Sequence, residues 1–158
     1  MKLSALAGVV AVALAAVGVA LAQPPSHLQD SFTFGPFIQD CGTFDIEFEG
    51  SGEVHGTEYY DRDGNAIRIV AHVRITETDV NTTTLKTLVV RSVYTEVFDL
   101  VAGTYTVNGM RYMSNDPGSG SALQDTGRIT FNPDGSVDIH GPHEVFDTQA
   151  AIFCEALS

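Results

Sequence analysis

Between Glu53 and Thr76 the chain alternates so regularly that few folds can accommodate it. Ile67, Ile69, Ala71, Val73 and Ile75 fall on one side of an extended chain, and Arg68, His72, Arg74 and Thr76 fall on the other. A period of two with one apolar side is the pattern of an antiparallel strand half-buried against a core. The preceding arm, Glu53 to Tyr60, joins it through Asp61-Arg62-Asp63-Gly64-Asn65, and Asp63-Gly64 supplies residues that accept positive φ, so the pair reads as a β-hairpin.

Other segments follow the same pattern. Phe44, Ile46 and Phe48 alternate with Asp45, Glu47 and Glu49, which predicts a strand with an acidic, solvated side. Gly50-Ser51-Gly52 reads as a turn into the hairpin, and Glu77 to Thr84 reads as the next connection. Leu85 to Leu100 is long for a strand and its apolar phase switches near Arg91-Ser92, so it predicts one bulged strand or two shorter ones. Thr104 to Met113 returns with Tyr105, Val107, Gly109, Arg111 and Met113 in one phase. The segment 115–121 is a polar loop, after which Gln124 to Phe131 and Ser136 to His140 are joined by Asn132-Pro133-Asp134-Gly135. Only Asp147 to Leu157, rich in alanine, favours a short helix. The expected fold is all-β, a single antiparallel barrel of seven or eight strands with a short C-terminal helix, the alternative being a β-sandwich.

The ends of the chain bound where it works. Lys2 is the only charge before Asp30, Leu3 to Leu21 is apolar, and Ala20-Leu21-Ala22 offers small residues for a signal peptidase, so residues 1–22 read as a signal peptide cleaved after Ala22. An uncleaved anchor is the competing reading, because the run is nearly long enough to span a bilayer. Residues 23–40, with Pro24-Pro25 and Gly35-Pro36, read as an extended leader ahead of a β-barrel domain over 41–158. Cleavage would leave 136 of the 158 residues, one domain, secreted and monomeric, with no stable membrane insertion. The only two cysteines, Cys41 and Cys154, then form the one disulfide possible, closing a loop of 113 residues (154 less 41).

Charge excludes partners. Losing Lys2 takes the formal charge from −12 to −13, Lys86 becomes the sole lysine, and the six arginines are scattered, which rules against nucleic acid and anionic membrane surfaces. Asp61-x-Asp63-x-Asn65 opens like a calcium loop, but Ala66 stands where glycine is needed and His72 where a bidentate glutamate is needed. No nucleophile elbow, phosphate loop or His-Glu-x-x-His occurs, and no metal or other cofactor is expected. Asn81-Thr82-Thr83 fits a glycosylation sequon.

Three histidines are the candidate ligand-binding residues. His143 follows Gly141-Pro142, which interrupts the last strand and places an imidazole at a sheet end, where sites are commonly grafted. His140 stands beside it in sequence, at a spacing that is not a ligand signature, and His72 lies on the polar side of the hairpin strand.

Cys41, Tyr60-Asp61-Arg62-Asp63-Gly64, Asp125-Thr126-Gly127-Arg128-Ile129, Gly141-Pro142-His143 and Cys154-Glu155-Ala156-Leu157 together resemble a group of small exported bacterial proteins of unassigned function. That resemblance covers most of the mature chain and implies an exported, β-barrel-like fold without implying an activity. A small barrel can hold one small apolar ligand, so carriage of a small hydrophobic molecule is the leading expectation. A noncatalytic surface or structural role and a small-barrel cyclase or isomerase are the alternatives.

Overall fold

A computed structural model describes residues 23–115, 122–148 and 151–158. The signal segment and most of the 115–121 loop lie outside the described residues. Seven strands form one sheet: β1 (Ser26–Asp40), β2 (Asp45–Tyr60), β3 (Ala66–Asn81), β4 (Thr87–Asp99), β5 (Thr104–Asn115), β6 (Ala122–Phe131) and β7 (Val137–His140). Their spatial order is their sequence order and every pair is antiparallel, so the chain is an up-and-down meander. Two short helices follow, α1 (Glu144–Asp147) and α2 (Ala151–Leu157). The all-β expectation and the C-terminal helix therefore hold. Among the described residues the sheet is not closed: β1 pairs only with β2 and β7 only with β6.

The hairpin forms as its alternation dictates. Asp61 accepts the backbone N–H groups of Asp63 and Asn65, both at 2.8 Å, and Gly64 takes φ of 83°. Ala71 and Val73 are buried while Arg68, His72 and Arg74 are exposed, which defines an inner face (the side that carries the helices) and an outer one. On the inner face Ile46, Leu88, Val90 and Leu123 pack with Val145, Phe153 and Leu157 from the helical segment, and Cys41–Cys154 joins α2 to the β1–β2 connection. A seven-residue helix does not persist alone in water, so α2 exists because it docks and is tethered. Burial of Phe153 and Leu157 contributes roughly 1.5–3 kcal/mol each.

Several boundaries differ from the expectation. Residues 23–40 are not a leader ahead of the first regular element, because 26–40 are that element, β1. Gly35-Pro36 is tolerated there since it sits at a register shift between Phe34 and Phe37 on an edge strand, where a missing N–H costs no ladder bond. Gly50-Ser51-Gly52 is not a turn, and β2 runs straight through it. The reason is a packing one: a Cβ at Gly50 would stand 2.5 Å from the Phe34 ring, and one at Gly52 would stand 2.6 Å from the Phe32 ring. β3 continues past Thr76 to Asn81, and β4 is one strand with a register shift between Arg91 and Val93. In β5 a second shift, between Met110 and Tyr112, reverses the phase, so Tyr112 rather than Arg111 pairs with Asp125.

Candidate functional site

The rings of Phe32, Phe34, Phe37 and Phe48 form a continuous stripe on the inner face. Successive centroids lie 6.4, 6.5 and 5.5 Å apart. The alternation of β1 places Phe32 and Phe34 on this face, and the register shift after Phe34 brings Phe37 opposite Phe48, again on this face. Glycines at 50 and 52 let the first two rings lie flat against β2. The stripe is only partly covered, with Phe32 37% and Phe37 53% exposed, which is unusual for rings of this size.

Where the stripe ends, under the helical segment, is a cavity of about 140 Å³ lined by Gln39, Ile46, Phe48, Glu77, Asp79, Tyr112, Val145 and Phe153. Glu77 and Asp79 stand two residues apart on β3, so both side chains point to the inner face. Asp79 is only 3% exposed with no partner for its Oδ1. Burial, followed by the charge of Glu77, pushes the Asp79 carboxyl up to about 8, and burial also raises Glu77. At neutral pH the pair therefore holds a proton between its two carboxyls. Burial likewise raises the Tyr112 phenol, with Arg111 pulling the other way and Glu77, Asp125 and Asp79 adding to the rise.

His143 lies nearby in the fold but is closed off. It makes an isolated bridge with Asp125, its Nδ1 meets the Asp125 carboxylate, and its Nε2 faces the His140 carbonyl at 3.2 Å. Both side chains are essentially fully buried. Both ring nitrogens therefore face acceptors inside the fold, and the imidazole is closed to solvent. Gly141, at φ of 105°, provides the bend that brings His143 back over β6.

The three histidines singled out in the sequence do not converge. The His140 side chain is exposed on β7, and His72 is exposed on the outer face of β3, where it bonds Thr95 Oγ1 at 2.9 Å. Three strands, β4, β5 and β6, separate the two in the sheet order. The outer face also carries a trough of about 600 Å³ crossed by Glu53, Arg74 and Arg91, with charges of both signs. Among the described residues, no three His, Cys, Asp or Glu side chains gather in a metal-binding arrangement.

Two cavity-lining positions escaped sequence reading. Glu77 and Asp79 fell in what read as a connection, although their i, i+2 spacing in continuation of the β3 alternation was the available signal. Asn81 is 1% exposed: its amide donates to the Leu157 carbonyl at 2.9 Å and its Oδ1 accepts from Thr83 and Thr84. It secures the end of α2 to the β3–β4 turn, so the sequon at this asparagine is inaccessible in the folded chain. No protein family, curated protein or solved structure matches this chain.

Proposed function

We propose that the protein is an exported, noncatalytic binder of a small apolar molecule, which lies along Phe32, Phe34, Phe37 and Phe48. The observation that carries this reading is the stripe itself, four rings in sequence, two of them substantially exposed, leading from the edge strand to a cavity. Exposed rings give a protein's own core little and offer an apolar ligand a preformed surface. Export rests on the apolar run before Ala22 and on the small residues at its end.

The test uses the mature chain and N-phenyl-1-naphthylamine, a neutral apolar fluorophore. Saturable enhancement is expected, and Phe37→Ser should weaken it about fivefold by removing roughly 1 kcal/mol of buried contact. Because Phe37 is half exposed, the fold should survive the change. Absence of saturable binding, or affinity indifferent to Phe37→Ser and Phe32→Ser alike, overturns the reading.

A further inference from the structure

We infer that the cavity at the closed end of the aromatic stripe is a head-group site for a primary ammonium, so that the preferred ligand is an apolar amine; this rests on the apolar reading above. Asp79 is the second observation that turns an acidic pair into a site. It lines the cavity, is 3% exposed, and carries an Oδ1 that no protein group satisfies. A buried carboxyl oxygen without a partner is costly, and a donor arriving in the cavity removes that cost.

The chemistry around the oxygen selects the donor. Glu77 stands beside Asp79 on β3, Tyr112 faces it from β5, and Asp125 on β6, which does not line the cavity, meets His143 through Oδ1 and leaves its own Oδ2 without a partner. β2 and the helical segment contribute apolar side chains, Ile46, Phe48, Val145 and Phe153. An anionic head would meet carboxyls and no free cation among these groups. An alcohol supplies one donor, whereas an ammonium supplies three donors and a charge that the carboxyl pair neutralises. A volume of about 140 Å³ equals only four or five waters at roughly 30 Å³ each, enough for an ammonium and its first methylenes. Phe48 belongs to both cavity and stripe, so the rest of the chain would continue onto Phe37 and Phe34. The chain's formal charge of −12 steers cations toward it.

Binding an ammonium favours the ionised pair, so a proton held by Glu77 and Asp79 leaves for solvent as the ligand enters. Proton release is thus a signature that simple apolar binding lacks.

The mature protein is titrated calorimetrically at pH 7 with octylammonium, 1-octanol and octanoate, in phosphate and in Tris so that buffer ionisation heat reveals proton transfer. Octylammonium is expected to bind about tenfold tighter than octanol, as one charge-assisted bond implies, with release of most of a proton, and octanoate weakest. Asp79→Asn, which keeps the side-chain shape, should bring the ratio of octylammonium to octanol affinity to about one and abolish proton release. Equal binding of octanol and octylammonium, a preference for octanoate, binding without proton release, or a preference that survives in Asp79→Asn each overturns the head-group site while leaving the apolar reading intact. Failure of all three compounds to bind overturns both. The wild-type proton release does not depend on the variant's folding.

Discussion

Where β2 begins, the inner face is covered by α2, tied down by Cys41–Cys154 and by Asn81; at the opposite end, side chains of the sheet cover one another. There Phe98, Tyr105 and Phe131 stack in register across β4, β5 and β6, with centroids 4.6 and 5.6 Å apart, and the Tyr105 hydroxyl donates to Glu96 at 2.6 Å. Burial, then the bond to Glu96, raises the Tyr105 phenol well above its ordinary value. The first end buries Ile46, Asp79, Asp125, His143, Phe153 and Leu157, whereas the second keeps its aromatic rings half-buried. A small sheet can thus be finished with a tethered lid or with cross-strand stacking, and the partly covered cavity beneath the lid is where burial raises a carboxyl furthest.

Removing the tether should separate the two ends most. With Cys41 and Cys154 both changed to serine, the 113-residue loop is no longer closed, at a cost of about 4–5 kcal/mol as an upper figure. Urea unfolding should show this loss, and helical protection from hydrogen exchange should fall first. A loss below about 1 kcal/mol would mean that packing alone holds α2.

Next in size is His143→Ala, which strands the Asp125 carboxylate in the interior and should cost about 3–4 kcal/mol. Since the His143 ring is sealed, retained stability with lost binding of N-phenyl-1-naphthylamine would contradict a structural role. At the other end, Tyr105→Ala should cost about 2 kcal/mol, less than a full core truncation because the ring is half-buried. Its effect should leave exchange protection of α2 unchanged; loss of that protection would show the two ends to be one cooperative unit.

The hairpin and the cysteine pair were legible because each rests on local pattern: alternation around Ile67 to Ile75, Asp63-Gly64 at the turn, and two cysteines with one possible pairing. What escaped depended on contacts distant in sequence. Gly50 and Gly52 look like turn residues until Phe34 and Phe32 are seen lying on them, and nothing local announces those partners. The same holds for Asn81, whose meaning comes from Leu157, and for Tyr112, brought to the inner face by a bulge that alternation alone does not locate. His143 was legible as a special position, yet its partner Asp125 lies 18 residues away on β6, and that partner turns a candidate ligand residue into a buried, internally bonded one.

The smallest effect sharpens the comparison most, because it belongs only to the covered end. In the folded chain the Asp79 carboxyl titrates at about 8, against 3.8 for its ordinary value. Between those two values the folded protein keeps a proton that the unfolded chain has released. Stability therefore falls as pH rises through this window and loses nothing further from this group above it. The slope cannot exceed about 1.4 kcal/mol per pH unit for one proton, and ordinary carboxylates elsewhere pull in the opposite direction, so the contribution is best read as a difference between proteins. Asp79→Asn removes the titrating group. Urea unfolding at pH 5 and pH 8 should show the wild type losing more stability than the variant across that interval, whereas Tyr105→Ala should track the wild type. Parallel behaviour of wild type and Asp79→Asn would mean that water reaches Asp79 freely, and the lid would then enclose no more than the stacked end does.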